Sequence, residues 1–96
     1  MTYKLKFLPT ALKEWKKLDN TIRVQLKKKL EEILENPKVQ ANQLRKFDNH
    51  YKIKLKTSGY RLVYEVIDDE IVVLVIAIGK REGYKIYEVA KLRSGV

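Results

Sequence analysis

A chain of 96 residues, 45% of them apolar, has material for one domain with a single two-layer core and too much apolar content for a disordered segment. It contains no cysteine and a single histidine, His50, which excludes disulfide stapling, thiolate zinc sites and cysteine nucleophiles and leaves no second imidazole for a metal centre. Twenty-one Lys and Arg against twelve Asp and Glu leave a net charge of +9, an excess that attracts polyanions and steers association with them.

The charge is unevenly placed: residues 45–61 hold six bases and one acid, whereas 65–70 hold four acids and no base. A basic domain can also be merely a solvated one, so charge alone leaves both readings open. Nothing at the N-terminus resembles a signal peptide, and the longest apolar run, 71–78, is too short to span a bilayer as a helix. The expected location is the cytoplasm, with no membrane partner.

Residues 2–8 alternate Tyr3, Leu5, Phe7 with Lys4, Lys6, the period of a strand with one wet face. Pro9 ends it, and Thr10 is the expected N-cap of a first helix. Ala11, Leu12, Trp15 and Leu18 make its inner stripe, with Lys13, Lys16 and Lys17 outside. Asp19 and Asn20 break that helix and cap a second, over 21–35, whose stripe is Ile22, Leu26, Leu30, Ile33 and Leu34. Its charge order, Lys27–Lys29 before Glu31, Glu32 and Glu35, is the weaker orientation and opposes the helix dipole, so packing must hold it. Asn36 before Pro37 closes it. The two helices should lie antiparallel across one sheet face.

Residues 38–49 are polar, with a short strand expected at 42–46. Three strands follow, at 50–56, 60–67 and 70–79, with Asp68 and Asp69 in the second turn. The run 71–78 is apolar on both faces, as in a central strand covered on both sides. Gly79 releases the chain into Lys80 and Arg81, and a last helix is expected over 84–92. There is no repeat or linker, so residues 1–96 read as one domain.

The hairpin 51–61 carries the functional signal. Tyr51, Ile53 and Leu55 alternate with Lys52, Lys54 and Lys56, so one strand face is apolar and the other cationic. With a turn at Thr57-Ser58-Gly59 and Lys56 opposite Arg61, Lys52, Lys54, Lys56 and Arg61 share the wet face. Four fixed cations on a rigid hairpin suit a phosphate-rich ligand. No P-loop, GxGxxG, HExxH or zinc pattern occurs, no carboxylate pair shares an evident cleft, and a lone His50 reads as a surface residue. Lys, Arg and Tyr remain. They can support phosphodiester chemistry on RNA, whose 2′-hydroxyl is its own nucleophile: the protein holds the phosphate in line, spreads the developing charge and moves two protons. Clustered lysines lower one another's pKa, so one could act as base near neutrality. A cationic face that only binds explains the lysines equally well.

The segments ALKEWKKLDNTIRVQLKKKLEEILENP, ANQLR, YKIKLKTSGYRLVYEVID and IGKRE stand in the order and spacing of one family. The chain resembles the RelE family of bacterial toxins, ribosome-dependent mRNA endonucleases of type II toxin–antitoxin modules, over nearly its full length. The resemblance implies an α+β fold, the RelE-like microbial RNase fold: two N-terminal helices on a small, mainly antiparallel four-stranded sheet, and a short C-terminal helix. It implies metal-independent cleavage of mRNA in the ribosomal A site, without a cofactor, leaving a 2′,3′-cyclic phosphate. By the same resemblance Lys52 and Lys54 hold the phosphate and are candidates to activate the 2′-hydroxyl. Arg61 clamps the scissile phosphate, Arg81 assists the leaving oxygen, and Tyr87 orients the substrate or serves as base. Arg45, Lys56 and Lys80 contact RNA. Alternation along the last strand would send Arg81 away from the Arg61 face unless the chain turns after Gly79. The implied partners are an acidic antitoxin, the 70S ribosome with its A-site mRNA, and operator DNA only through the antitoxin. Two alternatives come from other classes: a non-enzymatic ribosome- or RNA-binding module, and a gyrase-poisoning toxin on the same scaffold.

Overall fold

In the structure, a computed structural model, residues 2–44, 48–56, 58–80 and 85–93 are described. The order is β1 (Lys4–Phe7), α1 (Pro9–Lys17), α2 (Asn20–Ile33), β2 (His50–Lys54), β3 (Tyr60–Ile67), β4 (Val72–Lys80) and α3 (Lys85–Arg93). The four strands form one sheet in the order β1-β4-β3-β2, with β1 parallel to β4 and the other pairs antiparallel. The N-terminal strand thus joins the edge opposite β2, beside the last strand of the chain.

The apolar period of each element decides what it covers. Leu26 and Leu30, one turn apart on α2, are fully buried against Leu62, Tyr64, Val66, Val73 and Val75. Tyr51 stacks on Tyr64 there, ring centroids 5.6 Å apart, and Phe7 tilts against Trp15 at 5.3 Å. The other sheet face is covered by α3, whose Ile86 and Ala90 pack on Val63, Ile76 and Ala77. The α2 helix has no acid in its first turn and no base in its last, so its dipole is uncompensated and its place rests on that packing.

Several local expectations give way. The first helix starts at Pro9, with Leu8 as N-cap, so Thr10 lies inside it, and Asp19 caps α2 without a side-chain hydrogen bond. Proline at N1 is pre-organised for the helical φ, which moves the start one residue earlier than a hydroxyl cap would. Leu12 is 37% exposed and belongs to no buried stripe. Of the strand expected at 42–46, positions 45 and 46 lie outside the described residues; the rest is the end of a 3₁₀ turn, Gln40–Asn42, followed by a single bridge from Gln43 to Tyr51. That bridge, with the Leu44 amide donating to the His50 carbonyl at 2.9 Å, buries His50 to 3% exposure; its Nδ1 lies 2.7 Å from the Asp48 carbonyl oxygen. It is an interior histidine, where a surface one was expected. The last strand begins at Val72, because Asp68–Glu70 form a 3₁₀ turn and Ile71 takes φ 54°.

Two irregularities position the site. The hairpin turn is longer than the sequence suggests: Leu55 donates its amide to Tyr60 at 2.9 Å, Gly59 to Leu55 at 2.9 Å, and Gly59 takes φ 78°. Lys54, two residues earlier than expected, is therefore the partner of Arg61. A shift of two keeps the faces as assigned. In β4 the register steps from Val63↔Ala77 to Tyr64↔Val75, so Ile76 is a bulge and faces α3 together with Ala77.

Tyr64 offers a test of this core. Its hydroxyl donates to the Pro37 carbonyl at 2.7 Å, and burial, with Tyr51 nearby, holds the phenol well above its ordinary value of 10.0. Because the folded-state value is raised, its contribution is complete below about pH 10 and is lost as pH rises toward the folded value, at about 1.4 kcal/mol per pH unit. The Tyr64→Phe protein should lack that part of the alkaline decline, while losing about 1 kcal/mol at neutral pH with the Pro37 bond. Urea midpoints from pH 7 to 11 read both effects; parallel curves for the two proteins would refute the assignment.

Candidate active site

Cross-strand register builds a row at the hairpin end of the sheet: Lys54 on β2, Arg61 on β3 and Gly79 on β4 are successive partners. The next row is Lys52, Val63 and Ala77. Partners in an antiparallel pair share a face, so Lys52, Lys54 and Arg61 lie on the side covered by α3. Lys52 is half-buried and Lys54 exposed at the sheet edge. Gly79 has a packing reason: a Cβ there would meet Ile86 Cδ1 at 3.1 Å, under α3.

Arg61 is 9% exposed, not on an open wet face, because α3 covers it. Its Nη1 donates to the Tyr87 hydroxyl at 2.7 Å, with the guanidinium carbon 5.6 Å from the ring centroid. Its Nε has no hydrogen-bond partner among the described residues, and none of their carboxylates pairs with it. A buried guanidinium in that state has donors and charge left for an anion. Tyr87 thus converges with Arg61 as expected, from α3, 26 residues on.

The cationic surface continues around the edge. A groove of about 440 Å³ lies between α2 and the hairpin, lined by Lys28, Lys29, Lys54 and Lys56 with Glu32. Lys56 is therefore in the turn and faces α2, beyond the Arg61 row. The α2 lysines entered the sequence reading only as a mid-helix charge run; the signal that finds them is tertiary. Lys80 pairs with Tyr60, whose ring packs with the α1/α2 core, so its register position is on the face away from Arg61. Arg45 and Arg81 lie outside the described residues. The parity objection to Arg81 rested on an unbroken β4; the Ile76 bulge reverses alternation and puts position 79 on the Arg61 face. Among the described residues, no three His, Cys, Asp or Glu side chains gather to hold a metal ion, and no helix is long and apolar enough to cross a membrane.

A family described as "ParE toxin of type II toxin-antitoxin system, parDE" matches residues 5–83. The mRNA interferase toxin RelE of Escherichia coli (strain K12) is 57% identical over 93 residues, covering 97% of this chain and 98% of that protein. A mutant E. coli RelE toxin in the free state superimposes with a TM-score of 0.90 at 56% identity, covering 97% of this chain and 98% of the other. The toxin of the intact E. coli RelBE toxin–antitoxin complex does so with a TM-score of 0.81 at 60% identity, over 83% of this chain and 98% of the other. With its fold and more than half its residues shared almost end to end with E. coli RelE, and with residues 5–83 matching the ParE-toxin model of type II toxin–antitoxin systems, the chain belongs to the RelE family of toxins.

Proposed function

We propose that this protein is the toxin of a type II module, an endoribonuclease that cleaves mRNA in the ribosomal A site and so stops translation. The observation that carries the reading is the buried Arg61 guanidinium, its Nε unpaired among the described residues, flanked by Lys52 and Lys54 and touching Tyr87, in a chain 57% identical to a protein named an mRNA interferase. A phosphodiester brought against the Arg61 guanidinium would accept from its terminal N–H groups and be neutralised by the lysines. The RNA 2′-oxygen then attacks phosphorus: the O2′–P bond forms, the P–O5′ bond breaks, and a 2′,3′-cyclic phosphate remains. Lys52, Lys54 or Tyr87 takes the 2′ proton, and the departing 5′ oxygen gains one, a step for which Arg81 is the proposed donor. Arg61 stabilises the charge that grows on the non-bridging oxygens. No protein-bound metal is needed, since the nucleophile comes from the substrate.

The ribosome supplies what the site lacks, orientation of a flexible strand, and that target places the toxin in the cytoplasm. The +9 charge suits an acidic, partly disordered antitoxin, as the RelBE complexes of the relatives pair toxin with antitoxin, and operator DNA would be reached through that partner. Arg45, Lys56 and Lys80 are proposed as outlying RNA contacts. The test is a programmed mRNA incubated with purified protein, with and without 70S ribosomes holding an empty A site. Cleavage only with ribosomes, ending in a cyclic phosphate, is the expected result. Tight ribosome binding without a cut would replace it with a binding module; neither cut nor binding would direct attention to gyrase.

A further inference from the structure

The first strand is too short for its neighbour. β1 pairs with β4 only from Val72 to Val75, and the Leu8 amide donating to the Val75 carbonyl at 3.0 Å ends the ladder. Beyond it, β4 presents backbone groups with no strand among the described residues to meet them. Two side chains close this stretch. Glu14 of α1 accepts the Ile78 amide on Oε1 at 3.1 Å, and Arg93 of α3 donates from Nη1 to the Ile76 carbonyl at 3.1 Å. The same groups bind each other at two points, Nη1 to Oε1 at 2.7 Å and Nη2 to Oε2 at 3.2 Å, with side-chain exposures of 31% for Glu14 and 23% for Arg93. A partly shielded, two-point Arg–carboxylate pair fixes geometry as well as contributing energy. Here it joins helices from opposite faces of the sheet around one edge.

The consequence falls on Tyr87. Ile86, Ala90 and Arg93 stand at i, i+4 and i+7, so all three lie on the side of α3 turned to the sheet. Ile86 and Ala90 are buried but only one turn apart, and alanine offers a single methyl group. Tyr87 and Val89, only partly buried, flank them on the same cluster, so these contacts press the helix down and restrain its rotation loosely. Tyr87 follows Ile86, so that rotation decides whether its hydroxyl meets Arg61. We infer that Glu14 and Arg93 are positioning residues: by clamping the end of α3 to the β4 edge they set the roll of the helix and hold the Tyr87 hydroxyl against Arg61. As a contribution to cleavage, this rests on the proposed function of the Arg61 site.

The experiment compares Glu14→Gln and Arg93→Lys, each alone and in a Tyr87→Phe background, by single-turnover cleavage on programmed ribosomes. It also follows the fluorine resonance of 3-fluorotyrosine placed at position 87. In the otherwise native protein each substitution should lower the maximal rate roughly tenfold, as expected for a displaced group, with little change in the half-saturating ribosome concentration. In the Tyr87→Phe background the same substitution should change the rate less than about twofold, although the melting temperature falls equally in both. The resonance should move toward its unfolded-chain position in either variant. Equal losses in both backgrounds, or an unmoved resonance, overturn the inference. A moved resonance in a protein that never cleaves leaves the clamp standing and overturns the proposed function instead. Arg93→Lys keeps the charge and serves if Glu14→Gln does not fold.

Discussion

The Arg61→Ala protein should cleave ribosome-programmed mRNA roughly 10²–10³ times more slowly than the native chain, the usual cost of losing one well-placed donor to a transition-state oxyanion. The loss should appear mainly in the maximal rate, since the many other basic residues still draw the protein to RNA. Arg61→Lys should fall between the two. It keeps the charge but replaces a planar fork with a point donor that cannot bond the Tyr87 hydroxyl and a phosphate in the native geometry. Stability should move the other way. The guanidinium is 9% exposed and no described carboxylate pairs with it, so the hydrogen bond and ring contact with Tyr87 offset only part of its desolvation. The alanine protein should melt no lower than the native one. Cleavage within about tenfold of native would remove Arg61 from the centre of the mechanism.

Leu26→Ala should be the most damaging single change to the fold. Leu26 and Leu30 are the only fully buried residues that α2 places against the sheet, and the helix has neither a side-chain cap nor dipole compensation to fall back on. Truncating a buried leucine costs its transfer free energy and leaves a cavity, together about 3 kcal/mol. In a domain of this length that lowers the melting midpoint by roughly 12–24 °C. Val24→Ala, on the exposed side of the same helix, should shift it by only a few degrees, about the scale of a surface change. Thermal denaturation of the two proteins side by side makes the comparison. A small effect at Leu26 would mean that α2 docks through its partly buried residues Ile22, Ile33 and Leu34 instead.

The elements and their order were legible because most are strongly periodic. The apolar stripe of α2, the alternation at 51–55 and the doubly apolar last strand each specify an element and a face, and the structure keeps all three. What the sequence obscured were matters of one or two residues: where proline starts α1, how long the hairpin turn runs, and where β4 bulges. None leaves a hydropathy signal. At the site, the shared face of Lys52, Lys54 and Arg61 followed from parity, which also placed Lys56 there, opposite Arg61, where the structure has it in the turn beside α2; Tyr87 followed from the family resemblance. The burial of Arg61 did not, because it depends on α3 lying across a face that local pattern marks as wet. Glu14 and Arg93, 79 positions apart, carry no pattern in the sequence; the short reach of β1 brings them to one edge.

The Ile76 bulge gives the chain a counting rule. Before it, odd-numbered residues of β4, such as Val73 and Val75, point toward α1 and α2; after it, Ala77 and Gly79 point toward α3. One supernumerary residue therefore acts as a phase inverter. The first half of the strand keeps step with the core, and position 79 comes out on the face that carries Lys52, Lys54 and Arg61. Homologous strands can lengthen or shorten between Val75 and Gly79 by two residues without disturbing that arrangement. Loss of the supernumerary residue itself would close the ladder and leave Gly79 opposite Arg61, whereas one residue gained or lost elsewhere in that span, with the bulge kept, would turn the end of the strand away from Arg61.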